Sequence, residues 1–231
     1  MPNRNKPEVI IFDVNETLLD LNAMRSSVGA ALGGRADLLP IWFSTMLHYS
    51  LVDTLTDNYR DFLEVGAGAL VMVAKREGID LSLEDAKRSI VGPITSLPPH
   101  SDVKVGLKSL KDRGFRLASL TNSSKMELAK QFENAGLSSY FSRQLSVENV
   151  RAFKPALVTY QWALSELDVK PANALMVAAH AWDLAGAKAA GLQTAFIKRD
   201  GATLYPNVGE PDYIANDIID LNAKLCMKLG E

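Results

Sequence analysis

The sequence predicts an α/β fold: a three-layer, Rossmann-like core built on a parallel sheet, with an inserted helical cap. Three observations predict it. A short apolar run at 9–12 has the length of a buried strand. The stretch 20–95 then shows only helical spacing of apolar residues, and from residue 101 onward helix and strand patterns alternate, as is typical of parallel sheets. We therefore assign residues 1–19 and 96–231 to the core domain and 20–95 to the cap domain.

The cap segment contains helical patterns one after another. A first helix is expected to end at Gly33-Gly34, and a second begins near Pro40, after which apolar residues recur at spacings of three and four. Two further helices are predicted over residues 62–76 and 83–91. The proline-rich stretch 92–99 suits neither a helix nor a central strand, so we predict a hinge there.

The core segment is predicted to alternate helices and strands up to a final helix. Several of the helices are followed by a glycine, which can adopt the left-handed backbone that ends a helix. The predicted order is helix 101–113, strand 115–120, helix 125–135, strand 143–147, helix 155–167, strand 174–178, helix 183–190, strand 193–198 and a last helix from 217.

Composition excludes several classes of function. Since 47% of the 231 residues are hydrophobic, the chain can bury a large core. Its 25 Lys and Arg against 27 Asp and Glu leave a net charge of −2 with no basic run, so nucleic acid is a poor partner. The lone Cys226 is expected to pack rather than react. No stretch approaches the roughly 20 apolar residues of a membrane span or forms a signal-peptide core, so we expect a cytoplasmic protein without a membrane partner.

Polar residues at the predicted strand ends are the candidates for chemistry. Asp13 comes directly after the first strand, and Thr17 follows four residues later. At this edge of a parallel sheet, an ionised carboxylate can attack an electrophilic centre and form an ester that water later opens. For this segment alone, an Asp that caps a turn or a helix is the alternative.

Three later positions repeat the arrangement. Thr121-Asn122 closes the next predicted strand, Lys154 comes before a proline, and Asp183 follows another strand with His180 and Trp182 beside it. Each has an ordinary alternative: a helix cap, a surface lysine or a core residue. Their order, in a chain with one long insertion after the first position, favours a shared pocket.

This order resembles the haloacid dehalogenase superfamily over about residues 8–200, with the excursion at 20–95 matching its helical cap. Phosphatase members carry a second Asp as general acid two residues after the nucleophile, and an acidic residue for Mg²⁺ shortly before the position of Asp183. This chain has Asn15 and Ala179 there. Asn cannot deliver a proton, and the lost carboxylate weakens a magnesium site. Halide leaves as a stable anion, so the resemblance implies carbon–halogen cleavage without a metal or any other cofactor.

Within the superfamily the chain is most similar to the L-2-haloacid dehalogenase branch. The resemblance implies a small-molecule 2-haloacid substrate, halide as a product, and a homodimer. The motifs that carry the similarity are Ala181-Trp182-Asp183, Lys154-Pro155 with Tyr160, and Trp42 with Tyr49-Ser50.

The resemblance also implies a role for each site residue. Asp13 would attack C2 of the haloacid with inversion, while Thr121 and main-chain amides near Asn15 would hold the substrate carboxylate. Lys154 would pair with Asp13 and keep it ionised. Asp183 would position or deprotonate the water that opens the ester. The other polar residues assigned to the site are Thr17 and Asn122, which orient other groups, and Tyr160, which is assigned to substrate binding.

Four positions depart from the branch pattern, where members carry Tyr, Arg, Ser and Asn. The corresponding residues here are Asn15, Phe43, Ala178 and His180. The missing Arg removes a cation that meets the departing halide. We hypothesise that His180 takes over part of this work, with His48 and Tyr49 as alternatives, because an imidazole donates hydrogen bonds and is charged when protonated. The residues predicted either to form a dry wall around the alkyl group or to pack in the core are Phe43, Leu47, Phe62 and Trp182.

Two rival functions follow from the same residues. One is a small-metabolite phosphatase of the superfamily, which would release phosphate with Mg²⁺ and no halide. The other is a catalytically silent binding protein on the same scaffold, for which Asp13→Asn would change no activity. A compact halide pocket that admits fluoride is a further hypothesis.

Overall fold

A six-stranded sheet forms the centre of the molecule. The computed structural model describes residues 6–229, with side chains to 226. The strands are β1 (Val9–Phe12), β2 (Arg116–Thr121), β3 (Arg143–Ser146), β4 (Ala174–Ala178), β5 (Gln193–Ile197) and β6 (Tyr213–Ala215). Their order across the sheet is β3-β2-β1-β4-β5-β6, and every neighbouring pair is parallel. The predicted parallel α/β core is confirmed, and β6 is a strand that the sequence pattern did not predict.

Helices account for most of the rest of the described chain. They are α1 (Arg25–Ala31), α2 (Leu39–Leu55), α3 (Phe62–Arg76), α4 (Leu83–Thr95), α5 (Val103–Asp112), α6 (Lys125–Ala135), α7 (Leu157–Leu167), α8 (Ala181–Ala189) and α9 (Ile218–Leu229). The connections through α5 and α8 run in opposite directions along the sheet. Since such connections are right-handed, these two helices cover opposite faces, which completes three layers. No helix in the described residues is long and apolar enough to cross a membrane.

Burial on both faces explains the composition of the central strands. Every residue of β1, β4 and β5 is buried; β1 and β4 are accordingly apolar without alternation, whereas β5 begins with the buried polar residues Gln193 and Thr194. In the register of the sheet, Phe12 of β1 lies beside Ser119 of β2 and Val177 of β4. The carboxyl ends of these strands are therefore nearly level, and the residues that follow them meet at one edge.

The chain leaves and re-enters the core at neighbouring points. The Asp20 amide donates to the Pro98 carbonyl at 2.8 Å, and the His100 amide donates to the Leu18 carbonyl at 3.0 Å. Between these points lie α1 to α4, and no strand occurs among them, in agreement with the helical excursion predicted from the sequence. The division into a cap domain at 20–95 and a core domain stays a prediction.

The predicted hinge at 92–99 is wrong in its first part, because α4 continues through Pro93 to Thr95. Pro93 has no amide hydrogen to donate to the turn before it, and α4 ends two residues later. The hydroxyl of Thr95 donates to the Gly92 carbonyl at 2.9 Å, and Ser96 donates to the same oxygen at 3.0 Å. These bonds satisfy a carbonyl that a helix end leaves open.

Two predicted helix starts are also shifted. Residue 155 was expected in the first turn of a helix, but α7 begins at Leu157, and the Lys154-Pro155 peptide bond is cis. Asp183 was one candidate for a helix cap, but α8 begins at Ala181 and Asp183 lies inside its first turn. Its carboxylate is therefore free to contact side chains rather than the helix terminus.

Candidate active site

Asp13 is held by three donors at the carboxyl edge of the sheet. Thr17 Oγ1 donates to Asp13 Oδ2 at 2.7 Å, His180 Nδ1 lies 3.0 Å from the same oxygen, and Lys154 Nζ donates to Oδ1 at 2.8 Å. Burial by itself would raise the pKa of Asp13, but the charges and hydrogen bonds of Lys154 and His180 outweigh it and hold the pKa well below its ordinary value. Asp13 is therefore an ionised carboxylate.

Lys154 joins the two carboxylates of the site. Its side chain is fully buried, and Nζ donates to Asp13 Oδ1, to Asp183 Oδ2 at 2.6 Å and to the Leu120 carbonyl at 2.9 Å. Burial would lower the pKa of this ammonium, but the charges of Asp13 and Asp183 raise it above its ordinary value. The backbone amide of Lys154 donates to Asn122 Oδ1 at 2.9 Å, so Asn122 fixes where the lysine enters the site.

Asp183 is a fully buried carboxylate with two side-chain partners. Lys154 donates to one of its oxygens, and the Tyr160 hydroxyl lies 2.6 Å from the other. Burial raises the pKa of Asp183, the charge of Lys154 opposes this, and the negative charge of Asp13 raises it further, for a net increase. A carboxylate with a raised pKa is a stronger base toward water, which is the role that the sequence suggested for Asp183.

His180 lies between two carboxylates. Its Nε2 is 2.6 Å from Glu16 Oε2, and Nδ1 faces Asp13. Burial would lower the pKa of His180, but the hydrogen bonds and charges of Asp13 and Glu16 raise it from 6.5 to about 10. The ring stacks on Trp182 with centroids 5.1 Å apart and lies 6.1 Å from the ring of Phe43. The site thus contains an imidazolium at neutral pH.

Glu16 was missed by the sequence analysis. It lies 164 positions from His180 in the chain. The only signal that could have found it is the need for a counter-charge if His180 carries a proton.

Asn15 and Thr121 lie in the polar network behind Asp13. Asn15 Nδ2 donates to Ser123 Oγ at 3.3 Å, and its Oδ1 accepts from Gln131 Nε2 at 3.0 Å. Gln131 also donates to the Ile94 carbonyl at the end of α4. Thr121 Oγ1 accepts from the Ser123 amide at 3.2 Å. Asn15 is therefore anchored on both sides of its amide, and Ser123 and Gln131 are contacts that the sequence pattern did not predict.

A cavity of about 520 Å³ opens beside this cluster, with Glu16, Phe43, His180 and Trp182 in its wall. Phe43 and Trp182 therefore lie where the predicted dry wall requires them. Leu47 and Phe62 are not part of this wall: Leu47 is partly buried against the core, and Phe62 packs on Phe153 with ring centroids 5.6 Å apart.

The buried charges lie behind His180. Asp13, Lys154 and Asp183 do not line the cavity, whereas His180 does, with 12% of its side chain exposed. Tyr160 is fully buried behind them, in contact with Asp183. In the described residues, no group of three or more His, Cys, Asp or Glu side chains is arranged to hold a metal ion.

A parallel sheet that presents an ionised aspartate, a buried lysine and a second carboxylate at the ends of its central strands is typical of hydrolases that use an aspartyl nucleophile. The family model of the haloacid dehalogenase-like hydrolases matches residues 7–191, and the chain belongs to this family.

Relatives align with most of the chain. Haloacetate dehalogenase H-2 of Moraxella sp. (strain B) is 30% identical over 90% of this chain and 93% of its own length. (S)-2-Haloacid dehalogenase 1 of Pseudomonas sp. (strain CBS-3) is 32% identical over 82% of this chain and 83% of its own. The structure of L-2-haloacid dehalogenase from Xanthobacter autotrophicus aligns with a TM-score of 0.85 at 25% identity, covering 94% of this chain and 97% of the other.

Proposed function

We propose that this protein hydrolyses short 2-haloalkanoic acids, such as haloacetates and 2-halopropionates, to 2-hydroxy acids without a metal. The observation that carries the proposal is the trio of Asp13, Lys154 and Asp183, in which a lysine holds one carboxylate ionised while the other has a raised pKa. The relatives described as haloacetate and (S)-2-haloacid dehalogenases support the same substrate class.

In the first step, an oxygen of Asp13 attacks C2 of the haloacid from the side opposite the halogen. A carbon–oxygen bond forms, the carbon–halogen bond breaks, and its electron pair leaves with the halide. The product is an ester between Asp13 and the 2-carbon, with inverted configuration. Because His180 contacts Oδ2 and borders the cavity, Oδ2 is the oxygen on the substrate side.

In the second step, water attacks the carbonyl carbon of the ester. Asp183 takes a proton from this water, which its raised pKa favours. The bond between the carbonyl carbon and the substrate oxygen then breaks, the departing oxygen takes the proton from Asp183, and the second proton of the water is released as Asp13 becomes a carboxylate again. Asp13 is restored with one oxygen that came from water. Lys154 stabilises the negative charge on both carboxylates in turn.

Polar groups at the carboxyl end of β2, the strand next to β1, are candidates for binding the substrate carboxylate. Thr121 offers a buried hydroxyl at the end of β2. Asn122 Nδ2 is buried without a hydrogen-bond partner among the described residues, so it is available to an incoming acceptor. Phe43 and Trp182 give the alkyl part of the substrate an apolar wall, and His180 supplies a cation for the halide.

The phosphatase alternative is weaker on the chemistry of two side chains. A phosphatase needs an acid to protonate its alkoxide leaving group, and the Asn15 amide has no proton to give at neutral pH. It is also bound to Ser123 and Gln131. Ala179 offers no carboxylate to a magnesium ion. A halide leaving group needs neither a general acid at position 15 nor a metal-binding carboxylate at position 179.

We also propose that the protein is a cytoplasmic homodimer, which rests on the resemblance. Supporting the dimer, α2 exposes a row of large apolar side chains at its surface. Ile41 is 48% exposed, Leu51 39% and Leu55 86%. At 3.6 residues per turn these three side chains face the same side of α2, where a second copy of the chain could cover them.

Halide release from fluoro-, chloro- and bromoacetate and from both enantiomers of 2-chloropropionate, in the presence of a chelator, tests the function. We expect halide release by the wild type and its loss by at least about 10³-fold in Asp13→Asn. Asp112→Asn, at an exposed carboxylate of α5, is the matched control and should retain the wild-type rate.

Mass analysis of protein trapped during turnover should find the substrate carbon skeleton on Asp13. In water enriched in oxygen-18, a single turnover should label Asp13 rather than the product. Phosphate release that depends on Mg²⁺, with no halide release, would show that the phosphatase alternative is correct. No activity in either assay would favour the binding protein.

A further inference from the structure

Glu16 occupies a backbone position that is costly for its residue type. Its φ angle is 63°, in the left-handed region that residues other than glycine seldom adopt. Both of its backbone polar groups are bound: the amide donates to the Leu19 carbonyl at 2.8 Å, and the carbonyl lies 3.1 Å from His100 Nε2. The turn is therefore fixed, and the Glu16 carboxylate is directed at His180 across the mouth of the site.

The two contacts of His180 require two protons on its ring. A neutral imidazole has one donor and one acceptor, whereas carboxylates only accept. Since both Asp13 and Glu16 are within hydrogen-bond distance, His180 can donate to both only as an imidazolium.

The other charged groups near His180 are further from its ring. Arg25, Arg199 and Asp200 border the same cavity. Arg199 is already paired with Asp102 at 2.7 Å. Lys154 lies behind Asp13. Glu16 and Asp13 are thus the counter-charges in direct contact with His180.

These two counter-charges do not last equally through the reaction. When Asp13 becomes an ester it loses its negative charge, so one of the two carboxylates that favour the imidazolium disappears during turnover. Glu16 is not consumed. Once the halide has left, and until the ester is hydrolysed, Glu16 is the carboxylate that keeps a full negative charge in contact with the ring.

We infer that Glu16 is a positioning residue that keeps His180 protonated and oriented toward Asp13 and the departing halide throughout the catalytic cycle. The inference rests on the proposed dehalogenase function and adds a residue that acts through His180 rather than on the substrate. It also explains how a histidine serves where a permanently charged guanidinium is missing: a fixed carboxylate supplies the charge that an imidazole alone would not retain.

The rate of halide release against pH tests this role. We expect Glu16→Gln to move the alkaline limb of kcat down by about 1–3 pH units, the shift that removal of a neighbouring opposite charge produces. Glu16→Asp keeps the charge and should retain most of the alkaline limb at a lower kcat. Glu64→Gln, at an exposed glutamate of α3, is the matched control and should leave the profile unchanged.

A second measurement does not depend on activity. The chain has three histidines, so the ring signals of isotope-labelled protein can be assigned with a His180→Asn variant. We expect His180 to titrate well above 6.5 in the wild type and lower in Glu16→Gln. The inference is overturned if His180 titrates at or below its ordinary pKa in the wild type, or if Glu16→Gln leaves its titration unchanged.

The two measurements separate the inference from the proposed function. If no haloacid releases halide, the dehalogenase function fails, while the titration still decides whether Glu16 holds the charge of His180. If halide is released but Glu16→Gln changes neither the titration of His180 nor the pH dependence of kcat, the function stands and the positioning role fails.

Discussion

At the scale of single residues, the main feature of the site is a set of charged side chains that are buried together. Asp13, Lys154 and Asp183 are each buried, and the Lys154 ammonium lies 2.8 Å from the Asp13 carboxylate and 2.6 Å from the Asp183 carboxylate. Removing such charges from water costs several kcal/mol per ion, so each is tolerable only while its partners are present. The pairing of Glu16 with His180 extends the same balance to the cavity wall.

We expect Lys154→Met to destabilise the protein by about 3–5 kcal/mol near neutral pH, since it leaves the buried Asp183 without a cation and leaves Asp13 with His180 alone. Without the lysine, burial and mutual repulsion raise the pKa of the carboxyl pair in the folded state. A carboxyl with a raised folded pKa favours folding as pH falls, so the loss should be smaller near pH 5. Urea unfolding at the two pH values measures the difference.

The double variant Lys154→Met/Asp183→Asn is the control for this prediction. It removes one of the opposed charges and should recover part of the stability without recovering halide release. An equal loss of stability for Lys154→Met at both pH values would contradict the electrostatic explanation.

The residues that the sequence could predict are those that carry chemistry at strand ends. Asp13, Lys154 and Asp183 follow recognisable patterns, and the structure brings all three into contact. Glu16 and Gln131 could not be found in this way, because their importance depends on partners more than 100 positions away in the chain. A contact of that kind has no local pattern.

At the scale of elements, the base of the site depends on how closely α7 approaches α8. A Cβ atom on Gly186 of α8 would lie 2.6 Å from the ring of Tyr160 and 2.7 Å from its hydroxyl. Only glycine lets Tyr160 of α7 reach Asp183. The packing of two helices thus sets the geometry of a hydrogen bond in the site.

We expect Gly186→Ala to destabilise the protein by about 1–3 kcal/mol through overpacking and also to slow ester hydrolysis, because it pushes Tyr160 away from Asp183. Thermal unfolding measures the first effect. Accumulation of the Asp13 ester, followed by intact-protein mass, measures the second.

Gly106→Ala is the matched control. A Cβ there would lie 2.5 Å from a side-chain atom of Ile218, so the substitution would overpack the contact between α5 and α9 to a similar degree. This contact includes no residue of the active site. We expect this variant to lose stability without a change in kcat. A similar fall in kcat for both variants would mean that general destabilisation, and not Tyr160, is responsible.

Elements were predictable where the pattern is long or a strong stop residue ends it. Gly136 ends α6 with a φ of 65°, as its position suggests. Strand β6 has three residues, too few for a pattern to appear, and is formed through its parallel pairing with β5. The end of α4 differs from the predicted one because the helix continues for two residues beyond Pro93.

At the scale of the whole molecule, the exposed row on α2 is expected to bury itself against a second copy of the chain. We predict that Leu55→Glu shifts the protein toward the monomer, because a charge in an apolar interface loses water without gaining a partner. Light scattering coupled to size-exclusion chromatography measures the mass. Leu157→Glu on α7, at a leucine 45% exposed, is the matched control. A wild type that is monomeric at all concentrations would refute the dimer.

The general architecture was predictable because one strand, a long helical stretch and a regular alternation leave few arrangements of a parallel sheet. What the sequence could not predict is that His180 separates the buried charges from the cavity, since this depends on the packing of Trp182 and Phe43 around its ring. Such packing is decided only when distant elements meet.

The hydrogen-bonded crossing of residues 18–20 with 98–100 has an evolutionary consequence. The outgoing and returning segments are hydrogen-bonded to each other where they leave the core. A segment of different length or sequence inserted between them would therefore leave the spacing of β1 and β2 unaltered. Lengthening, shortening or exchanging that stretch would redesign the roof of the pocket while its floor keeps the same reactive carboxylate. Substrate specificity can thus change through exchange of the segment between residues 20 and 98, while the catalytic residues of the core stay the same.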